Sequence, residues 1–108
     1  MKQVSYDVVI SPEFEVEIVS YKTILKKYLG RDNHVTIPDS INIIGERAFK
    51  DCSFLVTVSI PKSVETIFTE AFCDCKSLLS VVIPDSVIYI YKNAFQGCSS
   101  LMNILLPS

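Results

Sequence analysis

The chain has 108 residues, 49% of them hydrophobic and 20% charged, which suits one folded domain with a modest core and argues against disorder. Ten basic and twelve acidic residues give a formal charge of −2, and no basic run exceeds Lys26-Lys27. That balance speaks against a nucleic-acid surface, and no apolar run approaches the roughly 18 residues of a membrane span.

The first stretch, "MKQVSYDVVISPEFEVE", lacks the apolar core and small-residue cleavage site of a signal peptide. The chain is therefore expected to be intracellular, or a module of a longer exported protein. "FEVEIVS" (Phe14 to Ser20) and "TILKKYL" (Thr23 to Leu29) read as two strands joined by a short turn at Tyr21-Lys22. Glu13, Glu15 and Glu17 alternate along the first and mark a solvent face. A helix from Tyr21 to Leu29 is the alternative reading. "GRDN" supplies the next turn, and "HVTIP" leads into a repeat.

"IPDSINIIGERAFKDC" begins at Ile37, "IPKSVETIFTEAFCDC" at Ile60 and "IPDSVIYIYKNAFQGC" at Ile83. Ala48-Phe49, Ala71-Phe72 and Ala94-Phe95 match, as do Leu55, Leu78 and Leu101, and Val58, Val81 and Ile104. The period is 23 without insertion. Such a period with a Leu-x-x-Val-x-Ile core is the mark of a leucine-rich solenoid, whose coils each bury an inner face against the next. In one coil, Leu78, Val81 and Ile83 point inward along a strand that Pro84 ends. Val87 and Ile90 point inward from a shorter extended segment. "KNAFQGC" (Lys92 to Cys98) reads as one helical or 3₁₀ turn with Ala94, Phe95 and Cys98 inside. Phe49, Phe72 and Phe95 should then form an aromatic ladder. Cys52, Cys75 and Cys98 share one column and read as reduced core thiols. Cys73 lies off that column and is expected to react with a thiol reagent faster than Cys52 or Cys75.

"IPDSINIIGERAFKDCSFLVTVSIP" resembles the leucine-rich repeat of the BspA type, and the likeness runs from Val35 to Ser108. It implies an α+β solenoid of right-handed leucine-rich-repeat coils with an N-terminal β-hairpin cap. Residues 1–36 would form the cap and lead-in strand. Residues 37–108 would hold three repeats of 23 residues and the start of a fourth. One departure stands out: the family's glycine is Gly45 in the first unit but Phe68 and Tyr91 in the next two. Either those backbones do not need positive φ, or the two coils bend locally. The resemblance also implies binding: a non-enzymatic adhesion module of a microbial surface or secreted protein. The partner would be a protein, such as a host matrix or cell-surface protein. The alternatives are a structural spacer of a larger exported protein and an intracellular interaction scaffold.

Chemistry is poorly represented. His34, the single histidine, sits outward, while three cysteines face inward, so no nucleophile-base pair is expected. "CDC" is no four-ligand metal set. Glycines at 30, 45 and 97 make no phosphate loop. No catalytic residue, cofactor or metal site is expected. The candidate protein-binding residues are two outward columns of the main sheet: His34, Thr57, Ser80 and Asn103, and beside them Thr36, Ser59, Val82 and Leu105. A second candidate patch is Ile43, Phe68, Ile88, Tyr89 and Tyr91. At the C-terminal coil, Phe95 and Leu101 should be left partly open to water. This suggests a fragment of a longer array, or self-association through that coil.

Overall fold

A computed structural model describes the backbone of residues 6–106 and the side chains of residues 12–106. Pro107 and Ser108, matched above to the start of a fourth repeat, lie outside the described residues. The strands follow from the repeat. Proline closes each strand after three residues, so a coil holds one three-residue strand and one two-residue strand, linked by turns. In chain order they are β1 (Tyr6–Ser11), β2 (Phe14–Val19), β3 (Lys22–Tyr28), β4 (His34–Thr36), β5 (Ile43–Ile44), β6 (Thr57–Ser59), β7 (Thr66–Ile67), β8 (Ser80–Val82), β9 (Tyr89–Ile90) and β10 (Asn103–Leu105).

Two sheets result. The four-stranded sheet, ordered β10-β8-β6-β4, is parallel throughout. The six-stranded sheet, ordered β1-β2-β3-β5-β7-β9, is antiparallel in its first three strands and parallel thereafter. The cap is thus a three-stranded meander rather than a hairpin, since β1 adds to β2. Its β2–β3 turn falls at Ser20-Tyr21, one residue before the expected place. Both residues have positive φ, 50° and 67°, the signature of a tight two-residue hairpin turn. The helix alternative for Tyr21 to Leu29 is replaced by β3.

The expected helical turn does not form, and no helix occurs among the described residues. The α+β assignment gives way to an all-β solenoid. The reason is a pair of left-handed residues in every coil: Arg47 and Asp51, Glu70 and Asp74, Asn93 and Gly97, with φ between 58° and 76°. Each redirects the chain before a second helical turn can follow. Local bonds such as Ala48 N–H to the Gly45 carbonyl (3.1 Å) close single turns only. The redirected amides point along the stack instead. Arg47, Phe49 and Asp51 donate to the carbonyls of Thr69, Ala71 and Cys73, and Glu70, Phe72 and Asp74 donate to Lys92, Ala94 and Gln96. The turns therefore form a third hydrogen-bonded side.

The core lies between these three sides. Leu55, Leu78, Ile44, Ile67, Val64 and Phe72 are fully buried. The aromatic ladder is present: Phe49 and Phe72 centroids lie 4.9 Å apart, and Phe72 and Phe95 5.2 Å. It continues into the cap, where Tyr28 stacks on Phe49 at 5.3 Å and Phe14 tilts against Tyr28 at 5.4 Å. The cap is fastened by Thr23 N–H donating to Asn42 Oδ1 (2.9 Å) and by an ion pair between Lys22 and Glu65 (2.7 Å).

Gly45 resolves the departure noted above. Its φ is not positive, nor are those of Phe68 and Tyr91. A Cβ at Gly45 would lie 2.7 Å from the Leu25 carbonyl oxygen, so glycine is needed where the coil meets β3 of the cap. Phe68 and Tyr91 meet each other instead, stacked at 4.9 Å.

The cysteine expectations need one correction. Cys52, Cys73 and Cys75 are buried, and Cys98 is only partly so. Cys73 is therefore not the open thiol. Burial, with Asp74 beside it, pushes its thiol up.

Candidate binding face

The parallel ladder brings the predicted columns together. His34 pairs in register with Thr57, Thr57 with Ser80, and Ser80 with Asn103. Thr36 stands beside Ser59, and Val82 beside Leu105. The alternation of the strands causes this: Val35, Val58 and Val81 turn into the core, so their neighbours turn out. Val82 and Leu105 are more than half exposed, at 58% and 55%.

Between the middle strands lies a depression of about 360 Å³, lined on its outer side by Thr57, Ser59, Ser80 and Val82. Polar hydroxyls line one column, and the other turns from polar to apolar toward β10. His34 Nδ1 lies 2.7 Å from Thr57 Oγ1, which holds the imidazole along the sheet. The sequence reading did not foresee this bond. The signal was present, because the two residues are one repeat apart. No carboxylate, lysine or arginine stands in either column, and His34 is the one titratable side chain there. Among the described residues no three metal-ligating side chains converge.

The second patch also assembles. Ile43, Thr66 and Tyr89 are paired across β5, β7 and β9. Tyr91 stacks on Phe68 and lies 6.2 Å from Tyr89. Ile88 is exposed at 70%, whereas Ile43 and Phe68 are half-buried. Ile90, in register with the buried Ile67, is itself exposed.

Residues 28–108 match the family described as the BspA type leucine rich repeat region (6 copies). The chain belongs to the BspA-type leucine-rich repeat family. Among solved structures it is similar to a leucine rich cell surface protein from Faecalibacterium prausnitzii, with 26% identity and a TM-score of 0.80, covering 98% of this chain and 32% of that one. It is also similar to a leucine-rich repeat protein from Bacteroides ovatus, with 33% identity and a TM-score of 0.74, covering 94% of this chain and 30% of that one. A leucine-rich repeat protein from Bacteroides capillosus shares the fold at 20% identity, with a TM-score of 0.68, covering 95% of this chain and 100% of that one. The chain thus spans about a third of the first two. No curated protein matches. No catalytic family is indicated.

Proposed function

We propose that this BspA-type chain is a non-enzymatic protein-binding module and that it meets its partner through the outward face of β4, β6, β8 and β10. The observation that carries this reading is the two-column face, which holds no lysine, arginine or carboxylate. Small hydroxyls flank a depression, and exposed Val82 and Leu105 extend it. A rigid parallel sheet holds these side chains at fixed spacing, so little order must be gained on binding. A face that runs from hydroxyls at its middle to exposed apolar side chains at the β10 edge offers a folded protein surface both hydrogen bonds and apolar contact. The F. prausnitzii relative is described as a cell surface protein, which supports a role in contact with host matrix or with other cells.

The test is biolayer interferometry against a panel of immobilised extracellular-matrix proteins. The chain should bind at least one of them. Replacing Ser80, Val82, Asn103 and Leu105 together by alanine should weaken that binding at least about tenfold, a loss of about 1.4 kcal/mol. Unchanged binding by the quadruple variant would move the site off this face. Absence of binding across the panel would favour the spacer reading.

A further inference from the structure

On the turn side of the solenoid, Cys52, Cys75 and Cys98 stand one above another. The Cys75 thiol donates to the Phe49 carbonyl at 3.1 Å, and the Cys98 thiol donates to the Phe72 carbonyl at 3.0 Å. Those same carbonyls accept the backbone N–H groups of Cys52 (3.2 Å) and Cys75 (3.3 Å). Each sulfur is thereby held against the backbone of the cysteine one coil earlier. The phenylalanine rings of neighbouring coils stack with centroids 4.9 and 5.2 Å apart, and hydrogen-bonded strands of adjacent coils lie about 4.8 Å apart. Disulfides usually span about 4.4–6.8 Å between Cα atoms, so one coil's rise lies within their reach.

We propose that Cys75 and Cys98 are an oxidative modification site, closed into a coil-to-coil disulfide by exchange with a small-molecule disulfide such as oxidised glutathione. Cys98 is the attacking group. It is only partly buried, and hydrogen bonding from Cys75 pulls its thiol below the usual range. Hydrogen bonding with Cys98 and burial push the Cys75 thiol up, so Cys75 waits protonated. In the first step Cys98 loses its proton to solvent, and its sulfur attacks one sulfur of the oxidant. The oxidant's S–S bond breaks, and one glutathione leaves as a thiolate. In the second step Cys75 loses its proton and attacks the Cys98 sulfur. The mixed disulfide breaks, and the second glutathione leaves. Two thiols are oxidised to one disulfide, and one oxidised glutathione is reduced to two molecules of glutathione.

Cys75 has a second neighbour in Cys52, placed the same way. Burial pushes the Cys52 thiol up, which makes it the slower partner. The two spacings along the chain are both 23 residues, so loop closure in an unfolded chain does not choose between them. A preference for Cys98 must come from the fold.

The test is to incubate the native chain with oxidised glutathione, trap free thiols with iodoacetamide and map disulfides by mass spectrometry. Trypsin combined with Asp-N separates all four cysteines, because Asp74 lies between Cys73 and Cys75. The folded chain should lose two hydrogen atoms and yield the Cys75–Cys98 pair as its main link. Cys52→Ser should form the same link. Cys75→Ser, or Cys75→Ala if the serine variant fails to fold, should stop at a glutathione adduct on Cys98. The proposal is overturned if folded wild type accumulates that adduct with Cys75 free. It is also overturned if Cys75–Cys98 is no more abundant in the folded chain than in urea.

Discussion

Phe72 lies flat against Phe95, with ring planes 1° from parallel and centroids 5.2 Å apart. It also lies against Phe49, so one ring joins three coils. Phe72→Ala would remove contacts on both faces of a fully buried ring. The expected cost is about 3–5 kcal/mol, read from urea unfolding, and with a core this small the variant is expected to populate the unfolded state. A variant as stable as the parent would contradict the stacking described here.

Asp51 holds a left-handed backbone at φ 64° and is exposed. L-residues there cost about 1–2 kcal/mol, eased for aspartate, whereas glycine bears no such penalty but gains freedom when unfolded. Asp51→Gly should therefore raise stability by up to about 1 kcal/mol, while Asp51→Ala should not. Thermal unfolding of both variants beside the parent distinguishes them.

Arg47 Nε donates to Glu70 Oε1 at 2.7 Å, one coil apart. That hydrogen bond holds the Glu70 carboxyl below its ordinary value of 4.5. The folded pKa is lowered, so the stabilisation is present above 4.5 and fades as pH falls through the lowered value. Glu70→Gln should flatten this part of the acid limb. Urea midpoints taken from pH 6 down to pH 3 should show a shallower fall for the variant, and equal slopes would exclude Glu70 as a contributor.

The stacked architecture was legible because identity of position survives in the side chains. Ile37, Ile60 and Ile83 are all buried, and one period places them. The outward columns followed from the same count. On the turn side the signal stood only in the third coil, where Asn93 and Gly97 take the left-handed backbone; Arg47, Asp51, Glu70 and Asp74 do not announce it in the first two. "ERAFKDC" reads as a helical turn by composition, and only the requirement to hydrogen-bond the next coil overrides it. The cap was legible in β2 and β3, where Phe14 and Val16 alternate with glutamates. β1 was missed although Ser11-Pro12 marks the turn that ends "YDVVIS". Gly45 was visible as an exception, but its cause, the nearby carbonyl of Leu25, belongs to a contact between distant parts of the chain.

The third hydrogen-bonded side has a mechanical consequence. Each interior coil is gripped on three sides, by two ladders of strands and one of turns. Under tension such a stack does not slide; it peels. Every amide of a coil that faces its neighbour must part before the next coil feels the load. A coil set free releases 23 residues of slack, roughly 80 Å of contour at full extension. Stretched between two attachment points, the protein would lengthen in steps of that size, each with its own threshold force. A contact made at one end of the stack would then hold while the other end yields.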